Sequence, residues 1–154
     1  MIFSLAVPVF GLNIVTKEIK FVDDPIEILS TWAYLKEEGY SKDLYCWVEY
    51  KNWSEDGMDA LSFRMLFYDV FNDYLDTISA ISIDKLRPGG SRKGKWKPNV
   101  YKDWTTHTVI IFLDKVRFVD GTIWGRDELD ITKELSKLKD ILFKPEQLQE
   151  KRKE

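Results

Sequence analysis

Lysines and arginines crowd one short stretch of this chain. From Lys85 to Lys102 there are seven of them (Lys85, Arg87, Arg92, Lys93, Lys95, Lys97, Lys102), no acidic residue, and Trp96 in their midst. Cations beside an aromatic ring suit a polyanion, because charge holds the acidic groups while the ring stacks on a sugar or base. The whole chain carries a formal charge of −3, so the remainder stands at −10 and the positive charge is local. The predicted binding residues are therefore Arg87, Arg92, Lys93, Lys95, Trp96, Lys97 and Lys102. The matching ligand is an anionic glycan, a phosphate-rich cell-wall polymer or single-stranded nucleic acid. The same lysines have a plainer use, since charge on an exposed strand edge deters pairing with another chain.

A second lead lies in Tyr45 and Trp47, which alternate with Cys46 along an apolar run. On an outward face such rings form a platform for sugars or a protein partner. On an inward face they are core.

Catalysis is poorly served. His107 is the sole histidine and precedes a β-branched run, a place for a structural or exposed residue rather than a base. Gly89-Gly-Ser-Arg-Lys-Gly94 approaches a hydrolase nucleophile elbow, but its spacing is wrong and it links strands instead of a strand and a helix. One histidine and one cysteine do not make a zinc site without help from carboxylates. Asp120, Asp127 and Asp130 lack a calcium-loop spacing and are accounted for by a turn and a helix cap. The chain reads as non-enzymatic, with no cofactor and no metal.

These residues must be positioned by strands. The sequence has 154 residues, 44% hydrophobic and 14% aromatic, enough for one self-sufficient core. Lone Cys46 cannot form an intramolecular disulfide, and the alternation of Leu44, Cys46, Val48 and Tyr50 predicts a buried thiol. Strands are expected from Asn13 to Val22, from Leu44 to Lys51, along Ala60–Phe71 and from Thr108 to Val119. Ile26 to Leu35 fits a strand or a helical turn equally. In the Ala60–Phe71 run, Leu61, Phe63, Met65 and Phe67 share one face; Ser62 and Arg64 suit a wet face, while Leu66, Tyr68 and Val70 call for a cover at the far end.

Asp120-Gly121 between alternating runs predicts a two-residue hairpin, pairing Phe118 with Ile123 toward the core and Arg117 with Trp124 outward. Leu86-Arg-Pro-Gly-Gly90 predicts another turn. After Gly125 the pattern becomes helical: Asp130 as cap, then Ile131, Leu135, Leu138 and Leu142, ended by Pro145. The resulting division is residues 13–126 as a β-sandwich, 127–144 as a C-terminal helix and 145–154 as a charged tail that frays.

Residues 1–12 are apolar and read either as the remnant of a secretory signal or as a first edge strand carrying Pro8. No run reaches the length of a membrane span.

Tyr50-Lys-Asn-Trp-Ser54, Met65-Leu-Phe-Tyr-Asp69 and Leu86-Arg-Pro-Gly89 together resemble the FxLYD-type extracytoplasmic domains of bacteria and archaea. Tyr68-Asp69 and Pro88-Gly89 match that pattern; Met65 and Phe67 stand where it has Phe and Leu. The resemblance spans about residues 44 to 124 and implies an immunoglobulin-like sandwich in an exported protein, with no catalytic residues to carry over. No lipobox cysteine precedes the domain, so a lipid anchor is not implied. The expectation is thus a mainly β, antiparallel, immunoglobulin-like β-sandwich with a C-terminal α-helix, secreted or periplasmic. Its function is that of an interaction module, export arguing against nucleic acid. The competing expectation is a structural subunit or adaptor of a cell-envelope assembly, docking through its helix.

Overall fold

The computed structural model describes residues 14–149. The apolar stretch 1–12 and residues 150–154 lie outside them. Among the described residues, eight strands form two sheets: β1 (Val15–Ile19), β2 (Ile26–Glu38), β3 (Ser41–Asn52), β4 (Met58–Asp69), β5 (Tyr74–Ser82), β6 (Ser91–Trp96), β7 (Thr106–Phe118) and β8 (Ile123–Gly125). One sheet has the order β1-β7-β4-β5, with β8 also on β7; the other has the order β2-β3-β6. No helix among the described residues is long and apolar enough to cross a membrane.

Alternation decides what lies between the sheets. Leu44, Cys46, Val48 and Tyr50 of β3 meet Leu61, Phe63, Met65 and Phe67 of β4 and Val109, Ile111 and Leu113 of β7 in one buried cluster. Each such side chain contributes about 1.5–3 kcal/mol by leaving water. Burial pushes the Cys46 thiol up to about 12. The undecided segment Ile26–Leu35 is strand β2, joined to β3 through Gly39-Tyr40.

The five-stranded sheet is covered on its other side too. Leu66, Tyr68, Ile110 and Phe112 pack there against Ile131, Leu135, Ile141 and Leu148, supplying the cover that the sequence called for. The helix α1 is shorter than expected, Glu128–Leu135, and its cap is Asp127, whose side chain accepts from Leu129 N. Beyond Leu135 the backbone tightens into i→i−3 bonds, Lys137 N to Glu134 O and Leu138 N to Leu135 O. The irregular chain that follows buries Ile141 in place of Leu142, which is 79% exposed.

The tail also departs from expectation. Pro145–Leu148 is a 3-10 turn with Leu148 buried. Tyr68 Oη donates to Gln147 Oε1 at 3.0 Å, Thr77 Oγ1 donates to Gln147 O, and Arg64 Nη1 donates to Leu148 O. Arg64, expected on a wet face, is thus half-buried under the tail and bonded to Asp114 at 2.8 Å.

Two further differences concern pairing. β1 runs parallel to β7, so the sheet is not wholly antiparallel. The Asp120-Gly121 hairpin pairs Arg117 with Ile123 and Val116 with Trp124, one residue out of the expected register. Gly121 N bonds Phe118 O, and Phe118 N bonds Thr122 O; with Gly121 at φ 91°, the connection is a turn plus bulge rather than a two-residue loop. The slip reverses the faces of β8 alone, Phe118 still packing against the core and Arg117 still pointing outward. Trp124 packs against the core, and Ile123 is exposed.

Trp124 still meets a guanidinium, but that of Arg126 at 4.9 Å. Arg126 also lies 4.0 Å over Phe21, and it bonds Asp24 and, at 2.9 Å, Asp23. It clamps the β1–β2 turn to the start of the helical segment.

Candidate binding face

The outer face of β2-β3-β6 gathers both sequence leads. Register places Ser30, Glu49 and Lys93 in one row across the strands, and Trp32, Trp47 and Lys95 in the next; Tyr34 and Tyr45 pair in a third. Trp32 and Trp47 stack at 5.8 Å with 23° between planes, and Tyr34 and Tyr45 at 5.4 Å with 19°. Each stack takes one face of each ring.

Lysines close the row on the β6 side. Lys95 Nζ lies 4.6 Å from the Tyr45 centroid and 5.1 Å from that of Trp47; Lys93 lies 5.7 Å over Trp47 and Lys97 6.0 Å over Tyr45. Each contact is worth about 0.5–1 kcal/mol at an exposed site. Lys97 also pairs with Asp43 at 3.3 Å. Lys93 and Lys95 form no ion pair with a carboxylate among the described residues. Their ammonium groups thus lie against rings, with the Glu49 carboxylate, which accepts from Ser30 Oγ, cross-strand from Lys93.

Beside them is a depression of about 140 Å³ lined by Ser30, Thr31, Trp32, Trp47, Glu49 and Lys93. The indole Nε1 of Trp47 is buried and has no acceptor. A buried donor without a partner costs free energy that an acceptor would recover.

The seven predicted residues do not all converge here. Lys93, Lys95 and Lys97 do. Trp96 points the opposite way: its ring meets Phe63 edge-on at 6.0 Å, and its Nε1 donates to Ile81 O at 3.1 Å. It folds back along β6 over Gly94, where a Cβ would come within 2.3 Å of the ring. Trp96 therefore seals the sandwich and is no stacking surface for a ligand on the lysine face. Arg92 bonds Asp84 at 3.2 Å and Lys85 O at 3.3 Å, and Arg87 lies in the turn before β6. Lys102 precedes the 3-10 turn Asp103–Thr105 with φ 52° and lies over Tyr101 at 5.4 Å.

Trp32 and Tyr34 were missed by sequence reasoning because their segment had no settled secondary structure. The usable signal was symmetry about Gly39: Trp32-x-Tyr34 mirrors Tyr45-x-Trp47.

His107 is the second residue of β7, its Nδ1 3.1 Å from Thr108 Oγ1, whereas Ser91 starts β6 in the other sheet. The motifs behind the family resemblance meet in space, but as scaffolding. Asn52 Nδ2 donates to Leu86 O at 3.0 Å and to Asp56 O at 2.9 Å, while Asn52 Oδ1 accepts from Ser54 N and Oγ. Asp69 Oδ1 caps the β4–β5 turn by accepting from Phe71 N and Asp73 N.

No model of a known protein family matches the chain, and no curated protein does. Two solved structures resemble it. A hypothetical protein from Peptoclostridium difficile 630 superposes with a TM-score of 0.57 at 10% identity, covering 73% of this chain and 92% of that one. A Northeast Structural Genomics Consortium target gives 0.43 at 9% identity, over 68% and 82% of the two chains. The first likeness shows a shared fold and nothing of function; the second is too slight to argue from.

Proposed function

We propose that this protein is a non-catalytic, exported binding module whose β2-β3-β6 outer face holds an anionic polymer. The observation that carries the proposal is the pair Lys93 and Lys95, which form no ion pair among the described residues and are seated on Tyr45 and Trp47. The rings fix the lysine stems, so less side-chain freedom is lost when an anion arrives. Charge then does most of the binding. Stacking is left to the outer side of Trp32, 53% exposed at the β2 edge.

Strand order supports an immunoglobulin-like reading of the sandwich. The sheets β2-β3-β6 and β5-β4-β7-β8 follow the arrangement A-B-E and C′-C-F-G found among fibronectin-type relatives of that fold, with β1 added. Export rests on the FxLYD-type resemblance of residues 44 to 124 and on the apolar stretch 1–12. Export favours a glycan or cell-wall polymer over nucleic acid.

The competing role, an envelope subunit docking through its helix, has less to stand on. Ile131 and Leu135 are buried against the protein's own sheet and Leu138 packs with them, leaving Leu129 and Leu142 exposed.

Tryptophan fluorescence titrated with dextran sulfate tests the binding reading. Saturable quenching is expected, falling steeply with salt and abolished by Lys93→Glu/Lys95→Glu. Quenching that survives this reversal, or none at low salt, would overturn it.

A further inference from the structure

A second basic feature lies where the chain crosses between sheets ahead of β6. A cleft of about 710 Å³ opens there, and Lys85, Arg87, Arg92 and Ser91 line it together with Leu86 and Val119. No carboxylate is among its lining residues. Arg92 is braced by Asp84 and by the carbonyl of Lys85, whereas Lys85 and Arg87 make no ion pair among the described residues.

The backbone beneath is fixed. Asn52 N donates to Gly90 O at 2.8 Å, Gly89 N donates to Asn52 O at 2.8 Å, and Leu86 exchanges two bonds with Met58. The buried Asn52 side chain adds the bond to Leu86 O. Lys85 and Arg87 thus flank Leu86 at a fixed turn, and Arg92 stands on the β6 strand that leaves it.

We propose that this cleft binds an organic phosphate or sulfate ester. Guanidinium groups match the geometry of a tetrahedral oxyanion, which would sit between Arg87 and Arg92 within reach of Lys85 and the Ser91 hydroxyl. The cleft is open and extends past the cations along Gly57 and Met58. The remaining space borders Val119, 57% exposed, which suits an uncharged body such as a sugar or glycerol. Arg92 and Lys93 are consecutive on β6, so they point to opposite sides of the strand, and the cleft stands apart from the lysine face.

Amide chemical shifts followed by NMR test the proposal, with inorganic phosphate and glycerol 1-phosphate titrated at low ionic strength. Saturable shifts should concentrate at Gly57, Gly89, Gly90 and Ser91, with the ester binding more tightly than the ion. Arg87→Ala removes an exposed cation without a folding role and should weaken binding at least about tenfold, one charge-assisted contact being worth that much. Lys93→Glu/Lys95→Glu should leave the cleft shifts in place, which separates this site from the polymer face. Non-saturating shifts spread over all lysines, or wild-type affinity in Arg87→Ala, would overturn the site. Equal affinity for ion and ester would overturn the ester assignment.

Discussion

Asn52 shows how one side chain can carry a motif without carrying chemistry. It is fully buried and satisfies the carbonyls of Leu86 and Asp56 while anchoring the Asn-x-Ser turn. Asn52→Ala strands those acceptors and should cost about 2–3 kcal/mol in urea unfolding. Cys46 behaves oppositely, as an inert filler. Its thiol, raised from 9.0 to about 12 by burial, should resist thiol reagents in the native state and react once urea unfolds the chain. Because the unfolded thiol ionises first, stability is full below pH 9 and should decline as pH rises from there toward 12. Alternation was enough to place Cys46 inside. It could not say that Trp96 also points inward, because Lys93, Lys95 and Lys97 on the opposite side made the whole strand look solvated.

At the scale of elements, the strands were legible because their period of two is imposed by burial on one face. The helix was legible in kind but not in extent. Ile131, Leu135, Leu138 and Leu142 fit an ideal ladder, yet the helix ends at Leu135, and the irregular chain beyond it brings Ile141 and Leu148 to the cluster of Leu66 and Phe112 on the sheet. Nothing local announces that, since the competition is with a tertiary surface. Leu135→Ala should therefore cost about 2–5 kcal/mol, whereas Leu142→Ala should leave the denaturant midpoint nearly unchanged. The hairpin failed for a related reason. Asp-Gly serves both a two-residue turn and a turn with a bulge, and the choice, which decides whether Trp124 faces core or water, depends on what its ring can pack against.

Across the whole molecule, three layers are held in order by clamps at their margins, and Arg126 is the most buried of these. It is 4% exposed and neutralises Asp24, whose carboxyl burial pushes upward against the bonds from Phe21 N and Arg126. Arg126→Ala would leave Asp24 buried without its cation, at a cost of about 3–5 kcal/mol. The hydrogen bond from Arg126 holds Asp23 below the usual carboxylate range, and bonds from Thr122 do the same for Asp120. Such lowered groups add stability above the unfolded carboxylate value of about 4 and lose it as pH falls through their folded values. Acid unfolding monitored by circular dichroism should accordingly steepen below about pH 4, less so in Arg126→Ala.

The same scale contains the aromatic and lysine face, assembled from the β2–β3 hairpin and from β6, which is distant in sequence. Six tryptophans make it directly observable. The decisive measurement is the indole N–H region of an NMR spectrum during titration with dextran sulfate. The account predicts that the Trp32 and Trp47 signals move and saturate together while Trp96 and Trp124 stay fixed. Movement confined to Trp53 or Trp104, or no movement at Trp47, would contradict it.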